Sequence, residues 1–347
     1  MNLNKLKNPF FIAELSANHN GSLKNAKKLI DHAKKYGADA VKLQTYTPDT
    51  MTLNSKKKDF LIKDGLWKGY NLWSLFDKGK TPYAWHKILF DYAKKKKIQC
   101  FSTPFSEEAV DFLEELNCPF YKVASFEMTD LPLIKKIAET KKKIIISTGM
   151  ANLREIDKSF NLAKKYGAKE IILLYCVSNY PAKNSDFNLN NIYLLKDRYK
   201  CTIGFSDHSN NFQLAEAAVA AGAEVFEKHI YLNNVKSLDY KFSLKGKEIK
   251  KYRDALNNTN LLMGKKYFYR TFNEKKNRIL RRSIYATKDI KKRELLTKEN
   301  IRIIRPGYGL DPVYFEQLID KNSPIDIKKE TPLRKSILVK LKIKKIK

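Results

Sequence analysis

Cysteine is scarce in this 347-residue chain, with four residues, Cys100, Cys118, Cys176 and Cys201, forming no CxxC pair and no disulfide-like spacing. No bridge is expected, and the pattern fits a reducing cytoplasm. Long apolar runs are also missing. The one near the start, within "MNLNKLKNPFFIAEL", is too short for a signal-peptide core, and no other is long enough to cross a bilayer. The expectation is a cytoplasmic protein without a membrane partner. No Walker-type loop and no GxGxxG occurs, so nothing points to a bound nucleotide. Internal repeats are absent, and the lysine-rich end "LVKLKIKKIK" is the one low-complexity stretch.

Acidic residues are few relative to basic ones, 37 against 68, leaving a net charge of +31. Such a balance raises the question of nucleic acid. The lysines, however, fall in short runs such as "KKKK" at 94–97, at the ends of amphipathic helical stretches and in both halves of the chain. That distribution describes solvated helix faces, and no nucleic-acid partner is expected.

Eight short apolar, β-branched runs are present, at 10–15, 40–45, 98–103, 120–125, 143–148, 170–177, 201–207 and 224–230. Helix-period segments separate them. "SLKNAKKLIDHAKKYGA" spaces Leu23, Ala26, Leu29, Ile30 and Ala33 along one face, with Ser22 as N-cap and Gly37 as the stop. Eight strands alternating with helices, each strand apolar on both faces, predict an α/β fold, a (β/α)8 TIM barrel. The barrel is expected over 1–264, followed by a linker at 265–282 and a small domain of mainly β and irregular character at 283–347.

Active sites of such barrels lie at the C-terminal strand ends. The polar residues gather there: Glu14, Lys42 and Gln44, Thr103, Lys122 with Ser125 and Glu127, Ser147, Ser178, Ser206 with Asp207 and His208, and Glu227, Lys228 and His229. His208 and His229 end neighbouring strands and leave an open metal site, with Glu227 on the same side of its strand as His229 and so a possible third ligand. A hydrogen-bonded pair without metal is the alternative. Lys42, Lys122 and the hydroxyls suit a small phosphorylated acid, with Glu14 and Glu127 available as acid or base. His32 and His86 fall inside helices and read as structural. Residues 48–80 are too long for an ordinary βα loop and read as a lid. Their Leu66, Trp67, Leu72 and Trp73 are either exposed for contact with a ligand or partner, or packed on the barrel rim.

The words "AELSANHNGS", "VKLQTYTPDT", "FSTPF", "YKVASFEMTDLPLI", "IIISTGM", "GFSDHS", "FEKH" and "IRPGYG" closely resemble the sialic acid synthase family. The match runs over nearly the whole chain, and "AELSANHNGS", "GLWKGYNLWSL" and "KVASFE" are most similar to its pseudaminic branch. The resemblance implies a barrel joined to a small antifreeze-like (SAF) domain, and condensation of phosphoenolpyruvate with an open-chain amino sugar. It further implies that Lys42, Thr103, Lys122, Ser125, Ser147 and Ser206 hold phosphoenolpyruvate, with Ser178 where some relatives have Asn. His208 and His229 would bind a divalent metal, Mn²⁺ or Mg²⁺. Glu14, Gln44, Glu127, Tyr180 and Asp239 would surround the sugar. Arg305 would come from the small domain of a partner subunit, in a domain-swapped homodimer. "EKH" departs from the "ERH" of some relatives, keeping charge but losing the guanidinium fork. A neuraminate or legionaminate synthase, or a catalytically silent carbohydrate-binding scaffold, are the alternatives.

Overall fold

The computed structural model describes residues 8–265 and 267–344; the ends of the two expected domains and position 266 of the expected linker lie outside the described residues. Each of the eight apolar runs forms a strand: β1 (Phe10–Glu14), β2 (Ala40–Thr45), β3 (Gln99–Pro104), β4 (Phe120–Val123), β5 (Lys143–Ser147), β6 (Glu170–Cys176), β7 (Thr202–Asp207) and β8 (Val225–Tyr231). Neighbours pair in parallel in chain order, and β1 also pairs with β8, closing the expected barrel. Side chains such as Phe11, Ile12, Ile145, Leu173 and Phe226 are buried whichever way they face, which is why the strands read as continuous apolar runs. Between β7 and β8 the backbones approach so closely that a Cβ on Gly204 would sit 2.2 Å from the Val225 carbonyl oxygen. Only glycine fits there.

The helices follow from their caps and stripes. In α1 (Leu23–Lys35) the Ser22 hydroxyl accepts from the Asn25 amide at 3.3 Å, and Ala26, Leu29, Ile30 and Ala33 are buried. Gly37 takes φ +89° just beyond, a left-handed turn that ends the helix at low steric cost. The segment 48–80 is not an open loop. It folds into α2 (Pro48–Met51), capped by Thr47, and α3 (Leu72–Gly79), capped by Asn71, with Leu61 bridging Asn71 between them. The outer ring continues with α4 (Tyr83–Lys95), α5 (Glu107–Glu115), α6 (Leu131–Glu139), α7 (Leu153–Lys165), α8 (Asn190–Tyr199), α9 (Phe212–Ala220) and α10 (Lys247–Met263). A two-residue strand, β9 (Leu244–Lys245), pairs in parallel with the end of β8 and is too short to leave a sequence signal. Among the described residues no helix is long and apolar enough to cross a membrane.

The chain divides into compact units at Gly264 and Lys265, so the stretch expected as a linker belongs to the second unit. It carries α11 (Phe272–Lys276), and the Ile279 carbonyl beyond that helix accepts from the Gly307 amide at 2.8 Å. The second unit pairs β10 (Ser283–Ala286) antiparallel to β11 (Ile301–Ile304) over its own core of Ile284, Ile290, Leu296, Ile301, Leu310 and Leu318. Within residues 323–327, "SPIDI", only Ile327 forms a bridge, to Ile290. Two short helices, α12 (Phe315–Leu318) and α13 (Lys335–Lys340), were hidden by the short spacing of their apolar residues.

Candidate active site

A cavity of about 500 Å³ opens over the strand ends of the barrel. Strand register brings its floor together. Glu14 lies opposite Lys42 on one side and His229 on the other, and Ser206 lies opposite Glu227. Alternation along β8 then turns Glu227 and His229 into the cavity and Lys228 away from it. The Lys228 ammonium is buried behind the wall, donating to the Asp207 carbonyl at 3.1 Å and to the Ser209 carbonyl, with the Asp207 carboxylate at 3.4 Å. The expectation that Lys228 faces the pocket is therefore corrected. A lysine in this role tethers the ends of two strands, where three acceptors satisfy the three donors of an ammonium.

Two further lysines are buried on the cavity side. Lys42 pairs with Glu14 at 2.7 Å, lies 3.8 Å from Glu227, and donates to Thr103 at 3.1 Å. Burial opposes its charge, but the Glu14 and Glu227 carboxylates outweigh this and hold its pKa above the ordinary lysine value. Lys122 differs. Its ammonium donates to Ser147 Oγ at 2.6 Å and to the Val123 carbonyl at 2.9 Å, and no carboxylate of the described residues forms an ion pair with it. Burial lowers its pKa. Glu227 opposes that fall from beyond ion-pair distance, so the buried cation still gains from an anion that joins it directly. Ser125 and Ser206 line the cavity with Lys122, Ser125 accepting from the Gly149 amide at 3.2 Å and Ser206 donating to Glu227 at 3.3 Å.

Three carboxylates divide by environment. Glu227 is kept below its usual range because Lys122 and Lys42 overcome the burial that would raise it. Burial pushes Glu14 up to about 7 against the pull of Lys42, with Glu227 adding to the rise. Burial also pushes Glu127 up to about 7, and its Oε2 is buried with no hydrogen-bond partner. Glu127 sits on a 3-10 turn, Ser125–Glu127, directly after β4 and lines the cavity. Glu14 does not. Fully buried, it accepts from the Ser16 amide at 3.0 Å and the Gln44 side chain at 3.1 Å, and reaches the cavity only through Gln44 and Lys42. Glu14, expected against the sugar, thus stands one residue back from the cavity lining.

Of the other sequence-derived residues, Gln44, Ser147, Tyr180, His208, His229 and Asp239 line the cavity. Thr103 stands behind Lys42, and Ser178 stands behind Gly149, where an added Cβ would lie 2.2 Å from Ser178 Oγ. Arg305 follows β11 as an exposed residue of the second unit. Trp67 and Leu72 line the cavity; Leu66 and Trp73 do not, and Trp73 donates to Asp49 at 2.8 Å. Both tryptophans are half-buried rather than exposed, because the 48–80 segment folds on itself and over the strand ends. Trp67 donates to the Leu238 carbonyl at 3.2 Å and packs 5.4 Å from the Tyr180 ring. Sequence reasoning missed Ser16, Tyr46, Phe126 and Phe242. The signal for Tyr46 was its place one step past a strand end; Phe242, in a connection without periodicity, gave none.

The two histidines meet as expected, with ring centroids 5.5 Å apart. His208 Nδ1 donates to the Val177 carbonyl at 3.1 Å, which leaves Nε2 free to ligate, the arrangement typical of a metal-binding imidazole. Burial, with His208 and the nearby lysines, pushes the His229 pKa well below its ordinary value, so the ring is neutral. Its buried Nδ1 has no hydrogen-bond partner and lies 4.0 Å from Asp239. A neutral, orphaned imidazole nitrogen beside a second oriented imidazole fits a divalent cation whose remaining ligands are water and substrate. Glu227 is turned to Lys42 and Ser206, and no group of three His, Cys, Asp or Glu able to hold a metal occurs among the described residues.

Comparison with known proteins agrees with this geometry. The NeuB family model matches residues 29–267, and the SAF domain model matches residues 281–339. The chain is 44% identical to the pseudaminic acid synthase of Campylobacter jejuni over 94% of its own length and 96% of that protein. It is 39% identical to the N,N'-diacetyllegionaminic acid synthase of the same organism, over 95% of this chain and 100% of the other. The solved N-acetylneuraminic acid synthetase of Leptospira borgpetersenii superposes with a TM-score of 0.71 at 29% identity, covering 80% of this chain and 94% of that one. A barrel whose strand ends converge on two lysines, two histidines and a raised glutamate, followed by a SAF domain, belongs to the NeuB family.

Proposed function

We propose that this protein is a pseudaminic acid synthase, condensing phosphoenolpyruvate with 2,4-diacetamido-2,4,6-trideoxy-L-altrose to give pseudaminic acid and phosphate, and that it works in the cytoplasm. The observation that carries the reading is Lys122, a buried ammonium hydrogen-bonded to Ser147 with no carboxylate of the described residues in ion-pair contact, next to Lys42, Ser125 and Ser206. Phosphoenolpyruvate supplies the anion this floor is built to receive. The apolar wall from 48–80, Trp67 and Leu72 among its residues, suits a deoxy sugar bearing acyl groups better than one bearing hydroxyls.

In this reading the enol carbon of phosphoenolpyruvate forms a bond to the sugar's aldehyde carbon, and positive charge develops on the carbon bearing phosphate. Water adds to that carbon, and the tetrahedral product expels phosphate by breaking the C–O bond. His208 and His229 would hold a Mn²⁺ or Mg²⁺ ion, which when bound supplies Lewis-acid polarisation of the aldehyde oxygen. Lys42 and Lys122 hold the phosphate and carboxylate. Glu127 takes the proton from the attacking water, a role that its pKa of about 7 suits. Gln44, Tyr180 and Asp239 face the sugar. The second reading, a legionaminate synthase, draws on the similarity to the Campylobacter legionaminic relative. It differs in the sugar alone.

Four outcomes test the proposal. Phosphate release from phosphoenolpyruvate, measured across a sugar panel, is expected to give a kcat/KM for the diacetamido trideoxy altrose at least about tenfold above that for N-acetylmannosamine. One buried methyl contributes about 1 kcal/mol and the second acetamido group the rest. Equal values would refute the assignment, and a higher value for the legionaminate precursor would favour the second reading.

Because the ionised form of Glu127 is the working form, kcat/KM should fall as pH drops through about 7. That limb should disappear from the residual activity of Glu127→Gln; its persistence would transfer the titration to Glu14. Chelation should abolish turnover and Mn²⁺ restore it, while the Mn²⁺ spin-resonance signal of the bound ion should be absent from the His208→Ala, His229→Ala double variant. Full turnover after exhaustive chelation would sink the metal role. Finally, a homodimer in which a partner subunit donates Arg305 should recover activity when Arg305→Ala and Lys42→Ala subunits are mixed. Verified heterodimers without activity would show that the arginine does not act across subunits.

A further inference from the structure

Tyr46 stands directly after β2 and lines the cavity at 4% exposure. Its ring is wedged edge-on against Phe76 of α3 at 5.9 Å and against Phe105 at 5.4 Å. The hydroxyl lies over Gly79, where an added Cβ would be 3.1 Å from it, 3.4 Å from Ala17 Cβ and 3.5 Å from Leu238 Cδ1. No hydrogen bond to the hydroxyl occurs among the described residues. Burial pushes its pKa upward, with the Asp239 carboxylate adding to the effect, so the group stays protonated and able to donate.

The polar neighbours on this side of the cavity are already engaged. Ser16 donates to Asp239, and the Gln44 amide donates to Glu14 at 3.1 Å. Tyr46 alone of these offers an unspent donor, set among apolar side chains. The hydroxyl is not one of the buried polar atoms that lack a partner; as an unused donor on the cavity lining, it favours ligands that bring it an acceptor over ligands that do not. The group that fits is an acceptor oxygen flanked by an apolar atom, as in an acylamino carbonyl with its methyl. The rings against His208 and His229 are those of Tyr180 and Phe242, at 4.5 and 4.8 Å, whereas Tyr46 packs against Phe76 of the cap and Phe105.

We propose that Tyr46 is a specificity-determining residue whose hydroxyl donates to the carbonyl of the sugar's second acylamino group, the one N-acetylmannosamine lacks. This rests on the synthase reading above. Tyr46→Phe keeps the ring contacts and removes only the donor. Gly79→Ala keeps the donor and crowds it.

The experiment measures kcat/KM for the diacetamido trideoxy sugar and for N-acetylmannosamine in the three proteins, with KM for phosphoenolpyruvate and thermal unfolding alongside. The expected result is a loss with Tyr46→Phe about tenfold larger for the diacetamido sugar than for N-acetylmannosamine, as one neutral hydrogen bond allows. Gly79→Ala should shift the ratio in the same direction, and KM for phosphoenolpyruvate should stay in place. A wild-type preference that survives intact in Tyr46→Phe overturns the inference and leaves the synthase reading standing. Equal losses on both sugars also overturn it, assigning the hydroxyl to the acylamino group they share. No wild-type preference at all overturns both.

Discussion

The site depends on an imbalance of buried charge. Lys42, Lys122, Glu14 and Glu227 sit together at the strand ends, each almost wholly removed from water. Lys42 has two carboxylates within 4 Å and Lys122 has none in ion-pair contact among the described residues. Burial raises Glu14 to about 7, so its negative charge is only partly present near neutrality. Such an arrangement is a poor way to stabilise a fold, since a buried ion pair seldom outweighs its desolvation and an unpaired cation never does. It is a good way to receive an anion. In the proposed reaction an incoming phosphate and carboxylate would provide negative charge there, with the hydroxyls of Ser125, Ser147 and Ser206 as donors that cost little to reorient.

The barrel makes this cluster possible at all. Parallel strands in fixed register place Glu14 beside Lys42 and His229, and Ser206 beside Glu227. The same alternation sends Lys228 to the far side of β8, where it ties β7 and β8 together through the Asp207 and Ser209 carbonyls. Positive charge on one residue therefore serves packing, and on its barrel neighbours serves binding. A guanidinium at position 228 would bring two more donors than the three acceptors present there can use.

Much of this was legible in the sequence. The eight strands could be read because burial on both faces leaves an apolar run, and their polar ends could be read because the fold puts function there. The caps of α1 were equally plain, since Ser22 and Gly37 each have a local physical task. Less could be read where tertiary contact decides. Residues 48–80 carry no strong period, so nothing in them announced a folded cap whose Trp67 anchors to Leu238 at a distance of 171 residues along the chain. Phe242 owes its place against His229 to the same kind of contact. Lys228 was a different failure. The period-two rule that put Glu227 and His229 on one side already put Lys228 on the other.

The two halves of the cavity have separate origins, and this separates the chemistry from the choice of sugar. Strand ends supply the polar floor, where a one-residue shift of β8 would turn Glu227 and His229 out of the cavity together. The folded insertion supplies the apolar roof, Trp67, Leu72 and Phe76 among it, tied down by a few hydrogen bonds and ring contacts. A change in the roof alters which substituents are desolvated without moving the lysines of the floor. Tyr46 stands at the seam, fixed by strand β2 yet packed against the cap, so the position of its hydroxyl is as well defined as the floor while its surroundings belong to the roof. A family that keeps one condensation and varies its sugars requires that division of labour.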